Sequence, residues 1–110
     1  MIQKLHTQQG TVLYLLDNNA GDTALGISVD VPDTDLHILQ VRCGKGMMFC
    51  GIFDKNVLSA LHIPAAVFSA PWFDDMMERR PVFLTAEALH IGASPEMTGA
   101  ELLTVFSEDC

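Results

Sequence analysis

A thiol and a carboxylate four positions apart are the residues of this chain most suited to chemistry. Cys50 follows the apolar run Met47–Phe49 and precedes Gly51, and Asp54 opens a segment with helical periodicity. A thiol becomes nucleophilic beside a cation, a histidine or a helix N-terminus, and a carboxylate can act as a general base. Cys50 and Asp54 are therefore the candidate catalytic residues.

The same stretch can also bind a small molecule without reacting with it. Lys45 precedes the apolar run and can supply a positive charge. Gly51 lets a ligand approach the backbone, and its amide can form an anion-binding corner with the amide of Ile52. The candidate ligand-binding residues are Lys45, Cys50, Gly51 and Asp54.

Both chemical candidates have a structural interpretation as well, which we favour. Free cysteines are among the most buried residue types, so Cys50 is typical of a small apolar side chain at a strand end. Aspartate is preferred at the helix N-cap, where its carboxylate accepts a hydrogen bond from a backbone amide, and Asp54 stands at such a position. Whether the protein is an enzyme thus stays open. The alternatives are a domain that binds a small ligand, a thiol-dependent enzyme that uses Cys50, and a non-enzymatic interaction scaffold.

No residue spacing typical of a metal or cofactor site occurs. The four histidines and three cysteines form no H-x-x-x-H or C-x-x-C pair, and Gly44-x-Gly46 is too short for a phosphate loop. We therefore expect no metal and no cofactor. We expect His37 to be an interior or interface residue. His62 and His90, in the similar segments Ala60–Ala65 and Ala88–Ala93, are expected to lie at helix C-termini.

Composition indicates one small acidic domain. The chain has 110 residues, of which 49% are hydrophobic and 18% charged, and its net charge is −8. Six scattered basic residues form no stripe along a nucleic-acid backbone, and the charge also opposes binding to an anionic membrane surface. The start of the chain lacks a secretory apolar segment, and an odd number of cysteines fits a reducing compartment. We expect a cytoplasmic protein.

The pattern of apolar residues predicts an α+β fold. Residues 11–16 read as a strand buried on both faces, and residues 24–50 read as three strands of an antiparallel meander. The period then changes to that of a helix after Asp54, followed by a strand over 65–69 and a helix from Pro71. Thr85 is expected to cap a helix over 86–90, and Thr98 with Glu101 forms a capping box before the last helix.

The order of these motifs resembles the YunC-like family, a bacterial and archaeal domain of unknown function. Gly44–Asp54 resembles the family's "kGyimCGalD" core, and Ala86–Gly92 resembles its "A-x-x-L-G-I" helix. Met97–Leu103 resembles its closing "G-M-T-G-x-E-A-L". The resemblance covers about residues 22–106 of a single domain that spans 1–110, with residues 1–21 as an N-terminal strand region.

The resemblance implies a tetramer assembled through the N-terminal strands, and it implies no activity. The sequence agrees with assembly on independent grounds, because Leu36 and Ile38 alternate with Leu39 and Val41, so both faces of one strand are apolar. One face can pack on the helices, and a second copy of the sheet can cover the other. We expect a homo-oligomer whose small-molecule ligand is not identified by the sequence.

Overall fold

The computed structural model describes residues 2–51 and 53–107. It confirms an α+β fold built on one seven-stranded sheet whose strands lie side by side in sequence order. The strands are β1 (Ile2–Gln8), β2 (Thr11–Asp17), β3 (Thr23–Asp30), β4 (His37–Arg42), β5 (Met47–Cys50), β6 (Ala65–Phe68) and β7 (Phe83–Leu84). The helices are α1 (Lys55–Ala60), α2 (Phe73–Glu78), α3 (Ala86–His90) and α4 (Gly99–Ser107).

The N-terminal antiparallel meander is confirmed and extends over five strands, β1 to β5. It therefore includes two strands before the three predicted within residues 24–50. Strand β6 pairs parallel to β5 because α1 carries the chain back across the sheet, and β7 then pairs antiparallel to β6. Parallel pairing brings the C-terminal ends of β5 and β6 to the same edge of the sheet.

The inner face of the sheet packs against α2 and α4. Strand β3 turns its small residues toward these helices, and a Cβ built on Gly26 would lie 3.0 Å from the ring of Phe73. The larger side chains of this core come from the other strands and from the helices; those with less than 2% exposure include Leu16, Leu39, Val41, Met48, Phe68, Phe73, Met76, Leu102, Leu103 and Phe106.

Among the described residues, the outer face of the sheet is covered at one end and not at the other. Helix α1 places Leu58 on Phe49, Ala65 and Val67, which form a second, smaller apolar core on β5 and β6. The outer face of β2 to β4 carries aliphatic side chains that belong to neither core, namely Leu13, Leu15, Leu25, Ile27, Val29 and Ile38. Strand β2 was expected to be buried on both faces, but Leu16 is its only fully buried residue within the subunit.

Three of the four predicted helix starts are confirmed in their hydrogen bonds, whereas α2 begins at Phe73 with Trp72 as its N-cap and not at the predicted Pro71. The Asp54 carboxylate accepts from the amide of Asn56 at 2.8 Å, and the Thr85 hydroxyl accepts from the amide of Ala88 at 3.2 Å. In the capping box, the Thr98 amide donates to the Glu101 carboxylate at 3.0 Å. Each of these bonds satisfies a backbone amide at or next to a helix start that would otherwise lack a partner.

Glu101→Gln is expected to remove an acid-sensitive contribution to stability. The amide and the hydroxyl of Thr98 donate to the Glu101 carboxylate and hold its pKa below the ordinary value. A lowered folded-state pKa stabilises the fold above the unfolded-state pKa, and this contribution is lost as the pH falls through the folded-state pKa. Urea unfolding between about pH 5 and about pH 3 should therefore show a shrinking difference between wild type and variant. The control Glu96→Gln, outside the capping box, should show no such trend; equal trends would contradict the prediction.

Candidate functional site

Four strand ends meet at one edge of the sheet. Strand β3 ends at Asp30, β4 begins at His37, and β5 and β6 end at Cys50 and Phe68. A cavity of about 340 Å³ opens at this edge, and we call it the edge cavity. It is lined by Val31, Asp35, Leu36, His37, Cys50, Gly51, Ala70 and Pro71.

Cys50 forms part of the wall of the edge cavity and is 6% exposed. The pairing of β4 with β5 ends at Gln40 and Phe49, and the next amide of β4, that of Leu39, donates to the Cys50 sulfur at 3.3 Å. The sulfur thus accepts a backbone hydrogen bond at the point where the strand pairing ends. The buried interpretation of Cys50 is confirmed, and the thiol nevertheless borders a cavity.

His37 also lines the edge cavity and is held in place by two contacts. Its Nδ1 lies 2.8 Å from the carboxylate of Asp30, its partner in the β3–β4 pairing. Its ring also lies 5.2 Å from the Trp72 ring, measured between centroids, in an edge-to-face arrangement. The expected interior position is not observed within the subunit, because His37 begins β4 and its side chain is 36% exposed.

The structure brings together two of the four predicted ligand-binding residues. Cys50 and Gly51 line the edge cavity, whereas Lys45 and Asp54 do not. Lys45 lies in the turn before β5, at the opposite end of that strand from Cys50, and its amide donates to the Phe106 carbonyl. Asp54 serves as the N-cap of α1. Ile52, the other half of the expected anion-binding corner, lies outside the described residues.

Sequence reasoning missed three polar residues of this edge, Asp30, Asp35 and His37. A usable signal existed, because the turn 31–36 joins two strands predicted to pair antiparallel. Such pairing places the last residue of β3 opposite the first residue of β4, which are Asp30 and His37.

The second buried thiol, that of Cys43, has a raised pKa, whereas a reactive thiol has a lowered one. Cys43 is 3% exposed, and burial raises the pKa of its thiol to about 12, an effect that the neighbouring Arg42 charge only partly opposes. At neutral pH the Cys43 side chain is therefore a protonated, apolar core residue. It serves as an internal reference for Cys50 in the experiments below.

Two other concave surfaces hold titratable groups. A groove of about 550 Å³ lies between the ends of α1 and α3, where His62 Nδ1 is 3.1 Å from the Glu87 carboxylate and His90 is close by. A cleft of about 260 Å³ is lined by Asp17, Asn18, Asp74 and Glu78, among others.

Over residues 2–51 and 53–107, no three histidine, cysteine or acidic side chains are arranged to hold a metal ion. In the same part of the chain, every helix is too short or too polar to cross a bilayer.

These features define a small α+β domain with one mixed sheet and a cavity at the edge where β5 and β6 end. No family model matches the sequence, and no curated protein matches it. The fold is similar to the crystal structure of a protein of unknown function, TA1206, from Thermoplasma acidophilum, with a TM-score of 0.75. The similarity covers 92% of this chain and 99% of that one at 17% identity, which shows a shared fold.

Proposed function

We propose that the protein is a small-molecule-binding domain whose ligand occupies the edge cavity. The observation that carries this proposal is that a thiol, an oriented imidazole and the backbone of Gly51 share one cavity with apolar walls. Ligand sites in proteins are typically concave and mostly apolar, with a few polar groups that fix the orientation of the ligand. A volume of about 340 Å³ lies within the range of about 300–1,000 Å³ for such sites.

A fragment screen by two-dimensional NMR tests this proposal on the whole chain. The library should hold neutral, cationic and anionic fragments, and the probes are the amide of Gly51 and the indole N–H of Trp72. We expect hits to shift these two resonances in a saturable manner while leaving the amide of Gly21, in the β2–β3 turn, unchanged. A screen whose hits all map elsewhere, or that yields none, would contradict the proposal.

A thiol-dependent enzyme is the second candidate, and one observation favours it. Cys50 and His37 line one cavity, and Asp30 lies 2.8 Å from His37, so the residue types of a nucleophile, a base and an orienting carboxylate are present. Reactive thiols usually lie in partly exposed, electropositive surroundings, however. Cys50 is 6% exposed, and the described residues that line the edge cavity include no lysine or arginine. Ligand binding is therefore the first proposal.

Alkylation with iodoacetamide separates these two candidates. If the edge cavity only binds a ligand, Cys50 should react more slowly than added glutathione at every pH from about 6 to about 8.5, because it is mostly buried. Cys43 should react only after unfolding, because its thiol pKa is about 12. Peptide mass spectrometry distinguishes the two sites. A Cys50 rate above that of glutathione at about pH 6 would favour the enzyme instead.

We also propose that subunits assemble through the outer face of β1 to β4. The support is the row of aliphatic residues that neither core contains, including Leu25, which is 42% exposed. A second copy of the same face, packed sheet against sheet, would cover these aliphatic residues.

Membership in the YunC-like family, a tetrameric state and a cytoplasmic location complete the proposal. The first two rest on the ordered motifs between residues 22 and 106, of which Gly44–Asp54 spans the turn before β5, the strand itself and the N-cap of α1. The location rests on the free thiols of Cys43 and Cys50, which a reducing compartment preserves. A scaffold role remains the alternative if the edge cavity binds nothing.

Ile27→Glu is expected to dissociate the assembly. Ile27 lies on the central strand of the outer face, and a carboxylate there would be desolvated against its copy in the partner subunit. Sedimentation velocity at micromolar concentration should show a multimer for wild type and a 12.0 kDa species for the variant. Val57→Glu, on the exposed side of α1, is the control and should leave the multimer intact. A wild-type chain that sediments at 12.0 kDa would contradict the proposed interface.

A further inference from the structure

We infer that the edge cavity selects a small organic cation, an amine with an apolar body, and that Asp35 determines this selectivity. The inference rests on the proposed ligand-binding function and adds the chemical class of the ligand. It follows from the charges around the edge cavity, from the character of its walls and from the aromatic residues behind His37.

The charges around the edge cavity are mostly negative. Asp35 lines it and makes no hydrogen bond or ion pair with any described residue, so its carboxylate is available to a ligand. Asp30 contributes a second carboxylate, which is engaged with His37. Arg79 is engaged elsewhere, since its guanidinium donates to the Ser69 carbonyl and lies 3.8 Å from Asp75. Its charge is therefore matched on its own helix, and it does not line the edge cavity.

An anionic ligand meets repulsion in these surroundings. Among the described lining residues, His37 is the one whose side chain can carry a positive charge, and the Asp30 carboxylate at 2.8 Å would neutralise it. A carboxylate or phosphate in the edge cavity would then face Asp35 with no compensating cation among the described lining residues. A cation, by contrast, can form a charge-assisted hydrogen bond with Asp35.

The walls of the edge cavity suit an apolar body attached to that cation. Val31, Leu36, Ala70 and Pro71 supply aliphatic surface. Trp72 contacts the His37 ring and packs edge-to-face with Tyr14 at 5.5 Å. Tyr14 and Trp72 thus form an aromatic layer next to His37 whose rings hold one another in place. The ligand class that fits is a protonated amine on a small hydrocarbon or aromatic group.

The chain carries its own reporter for this test, because Trp72 is its single tryptophan and contacts the cavity residue His37. We would titrate the full chain at about pH 7.5 with benzylamine, benzyl alcohol and benzoate, which share a ring and differ in charge, and follow Trp72 fluorescence. Asp35 is exposed, and an ion pair with an exposed carboxylate corresponds to at most about fivefold in affinity because water screens it. We therefore expect benzylamine to bind about fivefold more tightly than benzyl alcohol, and benzoate to bind more weakly than both.

Two matched variants assign the selectivity to one side chain. Asp35→Asn should bring benzylamine to within about twofold of benzyl alcohol. Asp33→Asn removes the same charge two residues away, at a position that does not line the edge cavity. Asparagine tolerates the φ of 63° at this position. The Asp33→Asn variant should therefore keep the preference for benzylamine over benzyl alcohol. Equal or tighter binding of benzyl alcohol or benzoate to wild type would overturn the inference and leave the proposed function standing. If benzylamine does not bind, the inference fails, and the fragment screen then decides the proposed function separately.

Discussion

Replacing Gly99 with alanine is expected to remove much of the stability of the domain. Gly99 begins α4 against the backbone of α2, and its amide donates to the Arg79 carbonyl at 3.0 Å. A Cβ at this position would lie 2.0 Å from the Met76 carbonyl oxygen and 2.8 Å from its carbon. Backbone atoms cannot rotate away as a side chain can, so α2 and α4 must separate. We expect a loss of about 3 kcal/mol or more, the upper range for overpacking.

Urea denaturation followed by circular dichroism measures this loss. Gly51→Ala is the matched control, because its Cβ would meet only the Phe68 carbonyl at 3.5 Å, an ordinary contact. The control should stay within about 1 kcal/mol of wild type. A Gly99→Ala protein that is equally stable would show that α2 and α4 are not packed as closely as the structure describes.

Local features of the fold were predictable from the sequence because short-range chemistry determines them. Three residues were expected to cap helix starts, namely Asp54, Thr85 and Thr98. The side chains of Asp54 and Thr85 accept the expected hydrogen bonds, and Thr98 forms the expected capping box with Glu101. The alternation in β3 and β4 also gave the correct division of side chains between the two faces. These signals span only a few residues, so no tertiary information is needed to interpret them.

The choice of which face of β3 meets the helices was not predictable in the same way. Alternation separates Leu25 and Ile27 from Ala24 and Gly26, and hydrophobicity alone would favour burial of the larger pair. The structure instead covers the small residues, because the Phe73 ring of α2 occupies the space above Gly26. That choice depends on a residue 47 positions further along the chain, which no local pattern reveals.

The edge cavity illustrates the same limit for the site. Cys50 and Gly51 were identified from their local setting, and the structure places both in the edge cavity. Asp35 and His37 reach it from the β3–β4 turn, and Ala70 and Pro71 reach it from the segment after β6. Lys45 is near Cys50 in sequence, yet a strand separates the two residues because β5 runs straight between them. Sequence proximity to Cys50 therefore did not bring Lys45 into the edge cavity, which Asp35 lines instead.

The Phe73 ring links the stability of the fold to the edge cavity, so Phe73→Ala should affect both. The ring is fully buried, and its centroid lies 5.4 Å from that of Tyr14 and 5.0 Å from that of Trp72. Truncation of a buried phenylalanine costs about 3–5 kcal/mol, because the space above Gly26 stays partly empty. Urea unfolding should show this loss. Near-ultraviolet circular dichroism of Trp72 should weaken, because one of its ring contacts is gone while those with Tyr14 and His37 stay.

Phe73→Leu is the control that keeps most of the apolar volume and removes the aromatic contacts. It should lose less stability than Phe73→Ala, by roughly 2 kcal/mol, while Trp72 still loses its contact with the Phe73 ring. The two variants thus separate the filling of the space above Gly26 from the support of the aromatic layer behind His37. If the free energy of unfolding of Phe73→Ala is within about 1 kcal/mol of the wild-type value, α2 does not anchor the sheet. The wall of the edge cavity would then not depend on this helix.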